Sequence, residues 1–194
     1  MRIPYTNFKT RINDTNAVGG CTFIGGEWKD VDTAEIFDAK KVVVFALPGA
    51  FTPTCSSQQV PGYEEKYDEL KAQGVDEVYC LSVNDAFVMN AWARDEKIEK
   101  VKMLPDGSSV FTQGMGMLVN KDHLGFGMRS WRYSMLVDNG EVVKVFEESG
   151  KNNAGDDSDP FEVSGVDTMI AYIKDNPITR VAQMDNLTDP VSPE

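Results

Sequence analysis

Short apolar runs alternate with stretches of helical period along this chain. KKVVVFAL (residues 40–47) is a β-branched run of strand length, the pattern of a buried strand. EVYCLSV (residues 77–83) is apolar at both parities, which predicts a strand covered on both faces. Between them Val60, Tyr63, Tyr67 and Leu70 recur every three or four residues. They predict a helix from about residue 56 to 73, ended by Gly74. Residues 27–38 read as a short strand followed by a helical turn. AFVMNAWARDEK (residues 86–97) sets Val88, Ala91, Trp92 and Asp95 along one helical line, with Asp85 ahead of it as N-cap. YSMLVDNGEVVKVFEE (residues 133–148) reads as two strands joined through Asn139-Gly140, the strongest short hairpin signal. GVDTMIAYIKD predicts a last helix stopped at Asn176-Pro177, and the stretch beyond it is polar and proline-punctuated. The order of elements implies one α/β domain with a mixed sheet over residues 1–176 and a short polar tail over 177–194.

Composition narrows the setting. A chain of 194 residues with 41% apolar content can bury one well-packed core. A formal charge of −12 argues against a nucleic-acid partner, whose binding needs lysine and arginine to displace counterions. It also opposes an anionic membrane surface. No apolar run approaches the roughly 20 residues of a membrane span. The N-terminal residues lack the continuous apolar core of a signal peptide, so a cytoplasmic protein is expected. Three cysteines, Cys21, Cys55 and Cys80, are too few and scattered for a disulfide framework, and reduced thiols are expected.

One of these thiols stands at a chemically distinctive place. PGAFTPTCSSQQVPGYEE (residues 48–65) carries Cys55 where a strand gives way to a helix. The first turn of a helix presents unpaired N–H groups and the positive end of the macrodipole, both of which favour thiolate over thiol. Pro48 and Pro53 stiffen the loop, Gly49 lets it turn, and a curled loop brings the Thr52 hydroxyl near the sulfur. Position alone leaves two readings open, an activated nucleophile and an ordinary half-buried cysteine.

The wider pattern separates them. Pro48, Thr52 and Cys55 fit P-x-x-x-T-x-x-C, which resembles the signature of the peroxiredoxins. The surrounding residues are similar to the type V (atypical or type II) subgroup, some bacterial members of which are fused to a glutaredoxin domain. RYSMLVDNGEVV (residues 132–143) resembles that subgroup too, and DPFEVSGVDTMIAYI (residues 159–173) resembles the fused members. The resemblance implies a thioredoxin-like fold, a homodimer, and a thiol peroxidase acting on hydrogen peroxide and alkyl hydroperoxides without a bound cofactor. It implies that Cys55 is the peroxidatic cysteine, that Thr52 bonds peroxide and sulfur, that Pro48 shields the pocket, and that Arg132 completes the site. A guanidinium there makes chemical sense, since its planar fork of N–H groups cannot lose its proton and can meet the charge that arrives on oxygen.

Other candidates have plainer readings. Arg129 rivals Arg132 but reads as a surface charge. Cys80 sits within an apolar strand and reads as structural. Cys21 lies outside the matched motifs and reads as a non-catalytic thiol, though its Gly-flanked stretch makes it the one internal rival for resolving Cys55. His123, the single histidine, offers no metal-ligand spacing with the scattered cysteines. Trp92 and Phe87 read as core, and the run DDSD (residues 156–159) as a solvated acidic loop. Some subgroup members carry a resolving cysteine in the C-terminal half, but here no cysteine follows Cys80, and no C-x-x-C occurs. An external reductant, glutathione or glutaredoxin, is therefore expected. The alternative is a thioredoxin-fold peroxide sensor or chaperone in which Cys55 passes its oxidation to a client.

Overall fold

The computed structural model describes residues 1–13, 25–156 and 158–178. Its centre is a five-stranded sheet. The β-branched run becomes β3 (Lys41–Ala46), which pairs in parallel with β4 (Glu77–Ser82), and β4 pairs in parallel with β5 (Lys102–Pro105). On its other side β3 pairs antiparallel with β8 (Tyr133–Asp138), which turns back into β9 (Glu141–Glu147). The spatial order is β5-β4-β3-β8-β9, a mixed sheet as the element order implied. Asn139 and Gly140 both take positive φ, 48° and 76°, the conformation a two-residue hairpin with the right twist requires.

The uninterrupted apolar character of β3 follows from cover on both faces. Val43 and Phe45 face one cluster, with Tyr63, Leu70, Cys80, Met89, Trp92 and Met169. Val42, Val44 and Ala46 face the other, with Ile36, Phe37, Phe111 and Trp131. Helices α2 (Val60–Glu65), α3 (Tyr67–Ala72), α4 (Ala86–Asp95) and α6 (Val166–Asp175) cover the first face. Helices α1 (Thr33–Phe37) and α5 (Val110–Gly114) cover the second. Asp85 caps α4 as its position predicts, its carboxylate accepting from the N–H groups of Phe87 and Val88. The buried face of α4 is Ala86–Met89–Trp92, one step round from the line through Val88 and Ala91 expected from the sequence.

Two ribbons stand apart from the central sheet, and of their strands the sequence predicts only β2 (Glu27–Asp32), from residues 27–38. The strands β1 (Asn7–Ile12) and β2 form a separate antiparallel ribbon, on which Lys9, Glu27, Lys29 and Asp30 are exposed. Lys9 and Asp30 pair across it at 2.6 Å. A second ribbon joins β6 (Leu118–Asn120) and β7 (Met128–Ser130), and it delivers the chain to Trp131 and Arg132. Among the described residues no helix is long and apolar enough to cross a membrane.

Candidate active site

The loop leaving β3 is held on both sides before it reaches the cysteine. Leu47 N–H donates to Leu81 O at 3.2 Å, and Ala50 N–H to Asn84 Oδ1 at 3.0 Å. Pro48 is buried. Gly49 does not take a positive φ; a Cβ there would stand 3.3 Å from Thr52 Cγ2, a tight contact that the threonine would have to yield to, and 3.5 Å from Arg129 Nη1, an ordinary one. The left-handed residue of the loop is Phe51, at φ 61°. The Thr52 hydroxyl donates to Gly49 O at 2.7 Å, so its proton is committed and its lone pairs remain to accept.

The helix then begins. Ser56 N–H donates to Thr52 O at 3.0 Å, with Pro53 in the first turn, where a missing N–H costs nothing. Residues Cys55–Gln59 form a wide π-type turn, closed by Val60 N–H on Cys55 O. Such turns inside α-helices gather at functional sites. Here the turn sets two buried side chains, Cys55 and Gln59, against the same partner.

That partner is Arg132, between β7 and β8 and 1% exposed. Trp131 fixes the backbone beside it, its N–H donating to Met117 O at 2.7 Å and its indole Nε1 to Glu148 O at 2.8 Å. Arg132 Nη1 donates to Cys55 Sγ at 3.4 Å and to Gln59 Oε1 at 2.5 Å, and Nη2 donates to Asp159 Oδ1 at 2.5 Å. Burial pulls the Arg132 pKa down, but the charges of Cys55 and Asp159 and the hydrogen bonds to them more than offset it, and the net direction is upward. The guanidinium therefore stays charged beside the sulfur. Among the described residues its buried Nε–H has no hydrogen-bond partner, and neither has Gln59 Nε2.

The structure thus brings Cys55 and Arg132 into contact, with Thr52 one turn before the cysteine and Pro48 buried at the start of the loop. Arg129 is half-buried beside the same loop, close to Gly49, and is not a surface charge. Its Nη1 donates to Val83 O at 2.9 Å and its Nε to Phe126 O at 3.0 Å, pinning the two loops together. Cys80 pairs with Phe45 in the sheet, fully buried, and burial pushes its pKa well up. Trp92 is core, but its Nε1 also donates to Ser56 Oγ at 2.9 Å, next to Cys55. Phe87 is only partly buried and packs edge-on against Trp28. Cys21 lies outside the described residues. His123 is exposed, and among the described residues no three His, Cys, Asp or Glu side chains gather as metal ligands would.

Sequence reasoning missed two members of the site. Gln59 gave no signal beyond its four-residue spacing from Cys55 on one helix. Asp159 was counted in a solvated acidic run, but its carboxylate pairs with a buried guanidinium. Its neighbours Asp156 and Ser158 are exposed, as that reading expected.

Comparison with known proteins places this arrangement. The Redoxin family profile matches residues 14–170. The chain is 53% identical over 175 residues to a peroxiredoxin of Synechocystis, covering 89% of each. It is 52% identical over 172 residues to the hybrid peroxiredoxin hyPrx5 of Haemophilus influenzae, covering 89% of this chain and 64% of that relative. Among solved structures, the Plasmodium falciparum antioxidant protein, a 1-Cys peroxiredoxin, superposes with a TM-score of 0.82 at 37% identity. That match covers 91% of this chain and 99% of the other, so the mixed sheet and its helices are the thioredoxin fold of these enzymes. The chain belongs to the peroxiredoxins, the thiol peroxidases of the redoxin family.

Proposed function

We propose that Cys55 is the peroxidatic cysteine of a one-cysteine cycle that reduces hydrogen peroxide and organic hydroperoxides and is regenerated by glutathione or glutaredoxin. The observation that carries this reading is the 3.4 Å contact between Arg132 Nη1 and Cys55 Sγ at the start of a helix. The thiolate attacks one peroxide oxygen, the O–O bond breaks, and the departing oxygen leaves as water or alcohol after taking a proton. Sulfur is oxidised to sulfenic acid and the peroxide is reduced. Negative charge moves from sulfur toward oxygen, so donors must wait on both atoms. Arg132 supplies a fixed positive charge and the buried Nε–H, and the first N–H groups of the helix, at Thr54 and Cys55, supply the rest. Thr52, its proton committed to Gly49, accepts from the peroxide O–H. Pro48 limits water behind the sulfur.

Return to the thiol requires another sulfur. Cys80 is held mid-strand with a raised pKa, and attack on the sulfenic acid needs an accessible thiolate. An external thiolate needs only entry to the pocket. It displaces water from the sulfenic acid to give a mixed disulfide, and a second thiol then releases Cys55. The 1-Cys description of the Plasmodium structure supports this cycle. Peroxide consumption with glutathione, glutaredoxin and thioredoxin offered separately tests it, with turnover expected for the first two. Oxidation that stalls after one equivalent with every donor would instead mark a relay that passes oxidation to clients. We also propose a homodimer through the face that carries the active-site loop, where Phe51 is 53% exposed. Sedimentation at micromolar concentration that shows only a 21.5 kDa species would exclude it.

A further inference from the structure

The segment between β9 and α6 crosses back over the site. Asp159 Oδ1 accepts from Arg132 Nη2 at 2.5 Å, and the Phe161 ring lies with its centroid 5.8 Å from Arg132 Cζ. One residue therefore bonds the edge of the guanidinium and another sets a ring within cation–π distance of it, within a single Asp-Pro-Phe run. The contact has a backbone cost, because Asp159 takes φ 51° directly ahead of Pro160.

The far end of the segment is anchored without them. The buried Glu148 carboxylate accepts from the N–H groups of Glu162, Val163 and Ser164 at 3.0, 2.9 and 2.8 Å, and from Ser164 Oγ at 2.8 Å. Tyr63 adds a hydrogen bond to Ser164 O at 2.9 Å. Glu148 N–H in turn donates to Arg132 O at 3.1 Å. The hairpin that carries Arg132 thus also carries the anchor that returns the segment to it.

We propose that Asp159 and Phe161 form a strap that positions the Arg132 guanidinium for the reaction at Cys55. This rests on the peroxidatic reading given above. Cys55 and Gln59, both on Nη1, leave the fork free to pivot about that nitrogen, whereas a second anchor on Nη2 and a ring 5.8 Å from Cζ fix its orientation. A carboxylate also opposes the thiolate electrostatically. The Asp159 side chain is 44% exposed, however, so solvent screens that charge and leaves the geometric constraint intact.

The test is stopped-flow oxidation of Cys55 by hydrogen peroxide in Asp159→Ala, Asp159→Asn and Phe161→Leu, each made in the wild-type and Arg132→Lys backgrounds. Asp159→Ala should slow oxidation about tenfold, and Asp159→Asn less than about threefold, since the amide oxygen still accepts. Phe161→Leu should cost about threefold. In the Arg132→Lys background each change should fall below about twofold, because the effect travels through the fork. An equal loss in both backgrounds would make the segment merely structural and overturn the strap. So would a wild-type rate in Asp159→Ala, or an Asp159→Asn variant faster than wild type. If Arg132→Lys by itself reacts at the wild-type rate, the failure lies with the role of Arg132 and not with the strap.

Discussion

Replacing Arg132 by alanine removes the charge that faces Cys55, and the size of the effect follows from the geometry. A unit charge 3.4 Å from a thiolate, at an effective dielectric of about 20, is worth about 5 kcal/mol. Not all of this is lost from the reaction step. As the O–O bond breaks, the charge moves to an oxygen next to the sulfur, still within reach of the same guanidinium. Removing one donor to a developing anion typically slows a reaction about 100- to 1,000-fold, and that range is expected here. Arg132→Lys should recover only part, because an ammonium cannot serve Cys55, Gln59 and Asp159 together. The variant should still fold. Asp159 is 44% exposed and can rehydrate, and the Gln59 amide left without its partner costs about 1–3 kcal/mol. The assay is the second-order rate of sulfenic acid formation by stopped flow. Trp92 provides the optical signal, as its Nε1 donates to Ser56 Oγ beside the reacting sulfur. An unchanged rate in Arg132→Ala would refute the assignment. Arg129→Ala is the matched control, expected to loosen the loops at Val83 and Phe126 with a smaller effect on rate.

Cys55→Ser should abolish turnover. Cys80→Ser should keep most of it, and native-state alkylation should leave Cys80 unlabelled, because burial keeps it a protonated, inaccessible thiol; loss of turnover in Cys80→Ser would restore an internal resolving route. Gln59→Leu removes a charge-assisted hydrogen bond to Arg132 and should slow peroxide reduction about 10- to 100-fold, read in the same stopped-flow assay. Glu148 is pushed up by burial, but the N–H groups and hydroxyl it accepts from outweigh this and hold it below the usual carboxylate range. A carboxylate depressed in the folded state stabilises above its unfolded pKa and loses that contribution as pH falls through its folded one. Glu148→Gln should therefore lower the urea midpoint at neutral pH by the equivalent of about 1–3 kcal/mol, with the deficit shrinking below about pH 4. A deficit that does not depend on pH would show that the ionised carboxylate is not what anchors the segment.

Much of this molecule is decided by local pattern. The run VVVFA has no polar position to offer solvent, so it must lie inside a sheet covered on both faces, and β3 does. Asn139-Gly140 can adopt two successive positive φ angles cheaply, which sets the β8–β9 hairpin without reference to the rest of the chain. Asp85 caps the helix that follows it through bonds two and three residues away. Cys55 at a strand-to-helix junction was legible on the same grounds, as was its membership of a recognisable motif. Strand β2 and the turn of helix after it were legible in residues 27–38, but β1 was not, because a six-residue strand with Phe8 as its one buried position carries little alternation to read. The resemblance pointed to Arg132, but the contacts around the cysteine were decided by the tertiary structure. Arg132 meets it across 77 residues and Gln59 across 73, separations over which no periodicity carries information. Spacing and periodicity do not distinguish Arg132 from Arg129, three residues apart, although the resemblance over residues 132–143 favours Arg132. One is turned inward by Trp131, while the other is claimed by the carbonyls of Val83 and Phe126. Asp159 is the clearest case. An aspartate within an acidic run belongs in water by every local rule, and it reaches a buried guanidinium only because Glu148 draws the chain back over the site.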